Sequence, residues 1–414
     1  MTSLVLYIDP GTGSMLFSLV IGLVATAVFG IRALLLKLKF GLGKKEETSS
    51  NTIPYVIFSD HKRYWNVFKS ICEGFDKRGI DVVYYTLSSD DPVFTCGLKH
   101  IKPEYLGEGN KPYSKLNFLS ADIVLSTTPG LDVYQWKRSK NVKCYVHIPH
   151  SVDDLAGYRM FGLDHYDTVL ASGINQEETI RKIESLRPNI KKKEIVIVGS
   201  TYMDELKKEL DSIKKKTTNT TPVVLVAPSW GKSAILSHYG EELLSALEKT
   251  GFHIIVRPHP QSFSSEKEML SSLMEKHKNI EWNRDNNNFS VLERSDIMIT
   301  DFSGIIFDYS LVFNKPLLYA DTSFDPIVYD QDWLEEELWS LRMLPNLGIK
   351  LEEKDFGNLK NIIEETIQST SLAEKRNKVK DMCWANIGNS AEKSVLFLID
   401  KRNEINKENE KCKA

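Results

Sequence analysis

Cysteine is scarce in this sequence, and the few cysteines are not arranged to work together. The chain carries no CxxC pair, and its five cysteines are Cys72, Cys96, Cys144, Cys383 and Cys412. An odd number of cysteines at such spacings argues against a disulfide framework and against a zinc site. The pattern fits a chain that stays in a reducing cytosol.

The sequence also lacks a surplus of positive charge. Its formal net charge is -3, with 42% hydrophobic and 26% charged residues, which is an ordinary globular balance. A nucleic-acid-binding protein usually carries a basic surplus. We therefore expect no nucleic-acid partner.

A complete phosphate-binding P-loop is missing as well. Residues 231–233 read Gly-Lys-Ser, which is how such a loop ends, but the upstream glycine of GxxxxGKS is absent. This disfavours an ATPase and favours a strand-end loop that helps to line a cleft.

One long hydrophobic run stands out, at residues 15–36. It is long enough to cross a bilayer, its one charge (Arg32) lies near one end, and lysines follow at 37, 39, 44 and 45. The positive-inside rule then places everything after it in the cytoplasm. A signal peptide would carry its charge before the run. We predict a membrane anchor and linker over 1–45, single-pass in the cell membrane, with cytoplasmic catalytic domains. The alternative is a soluble protein with a buried N-terminal helix.

Apolar strand patterns alternate with helical ones through the rest of the chain. Strand-like runs such as 54–58 and 222–227 are separated by amphipathic stretches, which predicts parallel sheets with helices on both faces. A lysine-rich polar stretch at 207–221 divides two such series. We predict an α/β fold with two Rossmann-like domains facing a cleft, where ligands bind at the strands' carboxyl ends. The expected boundaries are an N-terminal acceptor domain over 46–206, a C-terminal nucleotide donor domain over 207–400 and a charged tail over 401–414.

The strongest chemical pattern is an apolar strand that runs directly into Asp-Phe-Ser-Gly and a helix, at 295–308. Ser303 and Gly304 would stand at the helix start, where free N–H groups and the helix dipole favour an anion. The alternative is that Asp301 or Ser303 is only a helix cap.

A second pattern ends a strand with Arg257-Pro258-His259-Pro260. Arginine is suited to bidentate phosphate contacts, and histidine can donate to a charged oxygen or transfer a proton. The plainer alternative is a solvated loop histidine.

A third pattern places two histidines, His147 and His150, at the end of a strand over 142–148. His150 lies beyond Pro149 and would fall at the cleft edge. A metal site using these histidines with Asp153 or Asp154 is disfavoured, because the spacing is generic. We expect no metal and no cofactor.

At these segments the sequence resembles the CDP-glycerol glycerophosphotransferase family of teichoic-acid-type polymer synthesis. The matching stretches are APSWG from Ala227, RPHP from Arg257 and SDIMITDFSGIIFDYSLVFNKPLLYA from Ser295. The resemblance implies a GT-B-like fold. It also implies that the donor's pyrophosphate lies near His259 and Arg257 and near the strand-to-helix turn that contains Thr300, Asp301, Ser303 and Gly304.

The first half departs from the family pattern. The family has His-Gly where a catalytic base is proposed, whereas this chain has His150-Ser151. The stretch that starts HSVDD, and the opening residues 7–14, resemble a divergent branch of the same superfamily. The resemblance implies that His150 is the base.

The implied reaction is attack of an acceptor hydroxyl on the glycerol-bearing phosphorus of CDP-glycerol, with CMP leaving. The implied partners are CDP-glycerol, or another nucleotide-activated donor, and a lipid-linked acceptor at the membrane. Three alternatives remain: a sugar-nucleotide glycosyltransferase of the same fold, a UDP-sugar epimerase-like enzyme and a non-catalytic membrane scaffold. The glycosyltransferase would use a UDP- or GDP-sugar as its donor instead of CDP-glycerol. For the scaffold, replacing His150 and His259 together should change neither nucleotide binding nor the cell-surface phenotype. The sequence leaves open whether Tyr158, Arg159 and Asp164 contact substrate or pack.

Overall fold

The computed structural model describes residues 20–24, 26–32, 52–213, 221–285, 287–329, 331, 333 and 337–411. The chain divides into two compact units, one over residues 1–52 and one from Ile53 to Ala414. The second unit contains two parallel β-sheets.

The first sheet has seven strands in the order β3-β2-β1-β4-β5-β6-β7, and all of its pairings are parallel. Its strands are β1 (Ile53–Ser59), β2 (Val82–Thr86), β3 (Ile101–Tyr105), β4 (Ala121–Ser126), β5 (Val142–His147), β6 (Thr168–Ala171) and β7 (Glu194–Ile197). The helices that accompany it are α1 (Trp65–Asp76), α2 (Lys111–Leu116), α3 (Ile174–Leu186) and α4 (Thr201–Ser212).

The second sheet has six strands in the order β10-β9-β8-β11-β12-β13, again all parallel. Its strands are β8 (Val223–Val226), β9 (His253–Val256), β10 (Glu281–Trp282), β11 (Ile297–Thr300), β12 (Leu317–Ala320) and β13 (Gly348–Leu351). Its first helices are α5 (Ile235–Glu248), α6 (Ser262–Ser265), α7 (Lys267–Lys276), α8 (Phe289–Arg294) and α9 (Ile305–Phe307), which continues as a π-helical turn over Asp308–Val312. The remaining helices are α10 (Trp339–Leu347), α11 (Leu359–Gln368), α12 (Thr370–Cys383) and α13 (Ser390–Lys411).

Burial on both faces explains why the strands are apolar runs. Side chains alternate between the two faces of a strand, so Val56 and Phe58 of β1 join one apolar cluster while Tyr55 and Ile57 join another. The second sheet is likewise covered on both faces. The predicted α/β architecture with parallel sheets is confirmed.

The strand order creates a switch point in each sheet. In the first sheet, β1 is followed by β2 toward one edge, and β4 is followed by β5 toward the other edge. In the second sheet, β8 and β11 are followed by β9 and β12 in the same divergent way. In open α/β sheets, ligands bind in the crevice beyond the carboxyl ends of such strands. The loops that follow these strands are therefore the place to look for the site.

The last helix returns to the first sheet. Val395 and Leu398 of α13 lie in the apolar cluster of that sheet, and Arg402 Nε donates to Asp122 Oδ2 over 2.9 Å. The chain thus crosses from the second sheet back to the first.

The predicted membrane anchor falls largely outside the described residues. Residues 20–24 and 26–32 of the hydrophobic run are helical and exposed, and the rest of 1–45 is not described. Within the described part of the chain, no helix is both long enough and apolar enough to span a bilayer.

Candidate active site

A cleft lies where the carboxyl ends of the two sheets meet. Its cavity volume is about 490 Å³, and both halves of the chain contribute to its wall. The first half supplies Tyr64, His150, Ser151, Asp153 and Tyr158. The second half supplies Ser229, Trp230, His259, Ser303 and Gly304. Four of the residues predicted from the sequence, namely His150, His259, Ser303 and Gly304, are therefore brought together.

His150 is held by two hydroxyl groups at one of its ring nitrogens. Its Nδ1 lies 3.0 Å from Tyr158 Oη and 3.4 Å from Thr127 Oγ1. Burial, with Arg63 nearby, lowers the pKa of His150 to about 4. The imidazole is therefore neutral at pH 7, and its other nitrogen is left for the cleft.

His147 lies behind this site rather than in it. Its side chain is fully buried against the rings of Tyr158 and Tyr166, and burial lowers its pKa to about 3. Neither ring nitrogen has a hydrogen-bond partner among the residues that the structure describes. No group of three histidine, cysteine or carboxylate side chains that could hold a metal ion occurs among the described residues.

His259 faces the cleft from the second half of the chain. Its Nδ1 accepts a hydrogen bond of 3.1 Å from the N–H of Gln261, so the neutral ring carries its proton on Nε2. Its ring lies 6.4 Å from that of Trp230, and burial lowers its pKa. His259 is thus arranged as a hydrogen-bond donor toward the cleft.

The turn after β11 places two backbone N–H groups at the cleft wall. Ser303 and Gly304 precede α9, and their N–H groups donate to no acceptor among the described residues. A side chain at Gly304 would bring its Cβ to 3.5 Å from Asp153 Oδ2. The backbone at Gly304 therefore approaches Asp153, which belongs to the first half of the chain.

Asp301 and Thr300 stabilise this turn through hydrogen bonds to the backbone. The Asp301 carboxylate accepts hydrogen bonds from the N–H groups of Ser229, Ile235 and Phe302, at 2.7 to 3.0 Å. Thr300 Oγ1 donates to the carbonyl of Ala227 over 2.7 Å. Both side chains are buried, so they hold the β8 and β11 loops together rather than line the cleft.

Arg257 is directed toward the loop after β10. Its guanidinium donates to Asn283 Oδ1 and, over 2.6 Å, to the carbonyl of Asp285. It is not among the residues that line the cleft. Its role in phosphate binding stays a prediction.

The residues left open by the sequence take different places. Tyr158 lies against His150 in the cleft. Arg159 donates to Tyr134 Oη over 2.9 Å, and Asp164 forms an ion pair with Arg187. Of the three, Tyr158 alone lines the cleft.

A second cavity of about 450 Å³ adjoins the cleft and was missed by the sequence analysis. It shares Tyr64, His150, Ser151, Asp153 and Gly304 with the cleft. It adds four polar residues, Arg63, Tyr202, Asn288 and Asp308, and four apolar ones, Val67, Val152, Met203 and Phe307. We call it the inner cavity. Burial raises the pKa of Asp308 to about 7 and that of Asp153 to about 6. Asp308 lies in the segment that carries the resemblance, but nothing in its spacing marks it as facing a cavity.

Asp154 joins the two halves beside the cleft. Its carboxylate accepts hydrogen bonds from the N–H groups of Trp339 and Ser340, at 2.9 and 2.7 Å, and so caps the start of α10. Its neighbour Asp153 caps none of the helices described above and lines both the cleft and the inner cavity. The two adjacent aspartates therefore serve different purposes.

Two doubly wound parallel sheets that face each other across a cleft give the chain a GT-B-like fold. The profile of the CDP-Glycerol:Poly(glycerophosphate) glycerophosphotransferase family matches residues 163–398, more than half of the chain. The chain belongs to this family and is a glycerophosphotransferase-like enzyme. The matched range contains His259 and the turn after β11, while His150 lies before it.

Solved structures share the fold at low sequence identity. A structure of the wall teichoic acid polymerase TagF is 15% identical, with a TM-score of 0.54 over 92% of this chain and 97% of that one. UDP-N-acetylglucosamine 2-epimerase from Rickettsia bellii is 14% identical, with a TM-score of 0.56 over 86% and 98%. No curated protein sequence matches the chain. Because transferase and epimerase share the fold, it is the family match that separates them.

Proposed function

We propose that this enzyme transfers glycerol phosphate from CDP-glycerol to a hydroxyl group of a lipid-linked acceptor, in the synthesis of teichoic acid or a related surface polymer. The observation that carries the proposal is the meeting of His150 and His259 across one cleft, beside the N–H groups of Ser303 and Gly304. TagF, which has the same fold, has been solved after soaking with CDPG. This supports the choice of donor.

His150 acts as the base in this proposal. A neutral imidazole can accept the proton of the acceptor hydroxyl at Nε2 when Nδ1–H donates to a hydroxyl oxygen. Tyr158 and Thr127 supply such oxygens at Nδ1. The acceptor oxygen then bonds to the glycerol-bearing phosphorus, and its proton moves to His150.

The opposite wall stabilises the leaving group. As the bond from phosphorus to CMP breaks, its electron pair leaves with CMP as negative charge on the phosphate. His259 Nε2–H and the N–H groups of Ser303 and Gly304 donate to that charge. Thr300 and Asp301 hold the turn in place, and Arg257 is proposed to add positive potential nearby.

We also propose that residues 15–36 anchor the chain in the cell membrane, with the catalytic domains in the cytoplasm. The length of the run and the lysines that follow it support this. An anchor would raise the effective concentration of the enzyme for a membrane-bound acceptor. Cell fractionation, with protease accessibility in inverted vesicles, tests it.

The function is tested by CMP release from CDP-glycerol with the detergent-purified protein and a membrane-lipid extract. UDP-N-acetylglucosamine and UDP-glucose run in parallel, and His150→Ala and His259→Ala are the controls. Acceptor-dependent CMP release that both substitutions abolish supports the proposal. UDP release from a sugar donor, with CDP-glycerol left intact, would move the function to glycosyl transfer.

A further inference from the structure

The loop that carries Tyr158 into the cleft contains an unfavourable backbone conformation. Tyr158 ends a 3-10 turn over Leu155–Tyr158, and the next residue, Arg159, has φ 60° and ψ 157°. Residues other than glycine rarely adopt this conformation, and they keep it only where the surrounding structure holds it. We call residues 155–164 the tyrosine loop. The contact between Tyr158 and His150 therefore depends on what holds this loop.

Arg187 connects the tyrosine loop to α3, because it directly follows the last residue of that helix. Its guanidinium forms an ion pair with Asp164 and donates a hydrogen bond of 3.3 Å to the carbonyl of Met160. The side chain of Asp164 is only 7% exposed, so the pair is partly shielded from water. Charge-assisted hydrogen bonds are stronger than neutral ones, and salt screens a partly buried pair only weakly. One side chain thus fixes two points of the loop.

Gly162 lets the loop close tightly between these two points. Its N–H donates to the carbonyl of Arg159 over 3.1 Å, and its carbonyl accepts a hydrogen bond of 2.7 Å from the N–H of Gly130. A Cβ at Gly162 would lie 2.2 Å from the carbonyl oxygen of Tyr158. Because closely packed groups transmit displacements, a shift of the loop near Gly162 would move the backbone of Tyr158 as well.

Apolar packing holds the loop independently of these polar contacts. Leu155 and Leu163 are buried in one cluster with Ile180 of α3. Removal of the ion pair should therefore leave the loop folded and change only how accurately it is placed. This allows the effect on the reaction to be measured in a folded protein.

We infer that Arg187 and Asp164 are a positioning pair for the base, because they hold the tyrosine loop where Tyr158 meets Nδ1 of His150. Neither Arg187 nor Asp164 lines the cleft or the inner cavity, so they act on the reaction through the loop. The inference rests on the proposed function for the role of His150.

Kinetics with the full-length protein are the first test. Arg187→Ala and Asp164→Asn should each lower kcat by about ten-fold, since a misplaced base loses its alignment with the reacting hydroxyl. The KM for CDP-glycerol should stay within about two-fold. Arg187→Lys keeps a positive charge for Asp164 but loses the planar guanidinium that also reaches Met160, so its kcat should fall by only about three-fold.

Two further measurements separate positioning from a purely structural role. Nitrogen NMR of His150, recorded without donor or acceptor, should show Nδ1 protonated in the wild type and a mixture of tautomers in Arg187→Ala. In a Tyr158→Phe background, Arg187→Ala should lower kcat by less than about two-fold, because both changes remove the same contact. Independent effects would multiply instead.

Arg78→Ala is the matched control. Arg78 donates to the carbonyl of Gly74 over 2.9 Å and forms an ion pair with Glu392, and its side chain is 29% exposed against 28% for Arg187. We expect this variant to keep the kcat and the His150 tautomer of the wild type. If Arg187→Ala does not fold, Arg187→Lys takes its place in both the NMR measurement and the Tyr158→Phe background.

The inference would be overturned by a folded Arg187 variant with the wild-type kcat and tautomer, or by effects of Arg187 and Tyr158 that multiply. The proposed function fails in a different way. If the wild type does not release CMP from CDP-glycerol but Arg187→Ala still changes the His150 tautomer, the positioning pair stands and the proposed function ends. Turnover of CDP-glycerol with no effect of Arg187 on the tautomer does the reverse.

Discussion

The hydroxyl of Tyr158 lies 3.0 Å from Nδ1 of His150, and both side chains line the cleft. Tyr158 comes from a short 3-10 turn eight residues after the histidine. A partner at Nδ1 selects which ring nitrogen is free to act as a base. We therefore regard Tyr158 as a positioning residue for His150.

The first prediction concerns that contact. Tyr158→Phe should lower kcat by about 10-fold to 100-fold, since a misplaced base loses its alignment with the reacting hydroxyl. The KM for CDP-glycerol should change little. Nitrogen NMR of His150 should show Nδ1 protonated in the wild type and a mixture of tautomers in the variant. An unchanged kcat with an unchanged tautomer would show that the tyrosine only packs.

The second prediction concerns the dependence of activity on pH. Burial disfavours the charged imidazolium and lowers the pKa of His150 to about 4, so the neutral base persists well below pH 6.5. A direct NMR titration of His150 should therefore give a pKa well under the ordinary value. The part of the kcat/KM profile that depends on this histidine should fall only as the pH approaches that value. A measured pKa of His150 near 6.5 would contradict the removal of its ring from water.

The third prediction compares His259 with Arg257. His259→Ala removes a donor that faces the cleft and should cost about 10² to 10³ in rate. Arg257→Ala breaks the contacts with Asn283 and Asp285, so we expect its main effect on the melting temperature. Measurements of CMP release and thermal unfolding on the two variants separate these effects. A loss of donor affinity in Arg257→Ala as large as in His259→Ala would show direct contact with the donor.

The fourth prediction concerns Asp301. Its carboxylate accepts three backbone N–H groups, from Ser229, Ile235 and Phe302, in a buried place. Asp301→Ala leaves these donors unpaired and should lower the free energy of unfolding by about 3 kcal/mol. The KM for CDP-glycerol should rise as well, because the loop that contains Trp230 loses its support. Denaturant unfolding and steady-state kinetics test both parts, and Asp301→Asn should be milder in each.

The fifth prediction concerns the stability of the protein against pH. Burial raises the pKa of Asp308 to about 7, from an ordinary value near 3.8. Between these values the folded state holds a proton that the unfolded state has lost, so this group's contribution to stability falls as the pH rises through that range. Asp308→Asn cannot ionise and should be more stable than the wild type at pH 8, by on the order of 2 kcal/mol.

That gain should shrink toward zero near pH 3, where the carboxyl of Asp308 is mostly protonated in both the folded and the unfolded state. Thermal unfolding of both proteins at pH 3 and at pH 8 is the measurement. Equal differences in stability at the two pH values would mean that folding does not raise the pKa of this carboxyl.

Much of the fold could be predicted from local patterns. Runs such as Val223–Val226 are apolar throughout because both faces of a parallel strand are buried. The strand-end loops with His150, His259 and Ser303 could be placed at one cleft because parallel strands present their carboxyl ends on one side. These inferences need only the order of residues along the chain.

The directions of individual side chains could not be predicted in this way. An arginine at a strand end can reach the cleft or a neighbouring loop, and Arg257 meets Asn283, which is 26 residues further on. Asp301 could cap its own helix, yet it also accepts from Ser229, on the loop after β8, and from Ile235, at the start of α5. Each of these choices depends on groups that are distant in sequence.

By itself, the sequence determined the parallel α/β architecture, the family resemblance and the histidines that end up in one cleft, because burial, periodicity and strand-end loops are local properties. Only the tertiary structure decided that Tyr158 meets His150 and that Asp153, Tyr202 and Asp308 share the inner cavity. Those residues come from three separate segments, and their ionisation depends on burial that no single segment creates. The physical reason is that hydrogen bonds and desolvation act through space, while a sequence pattern records only neighbours along the chain.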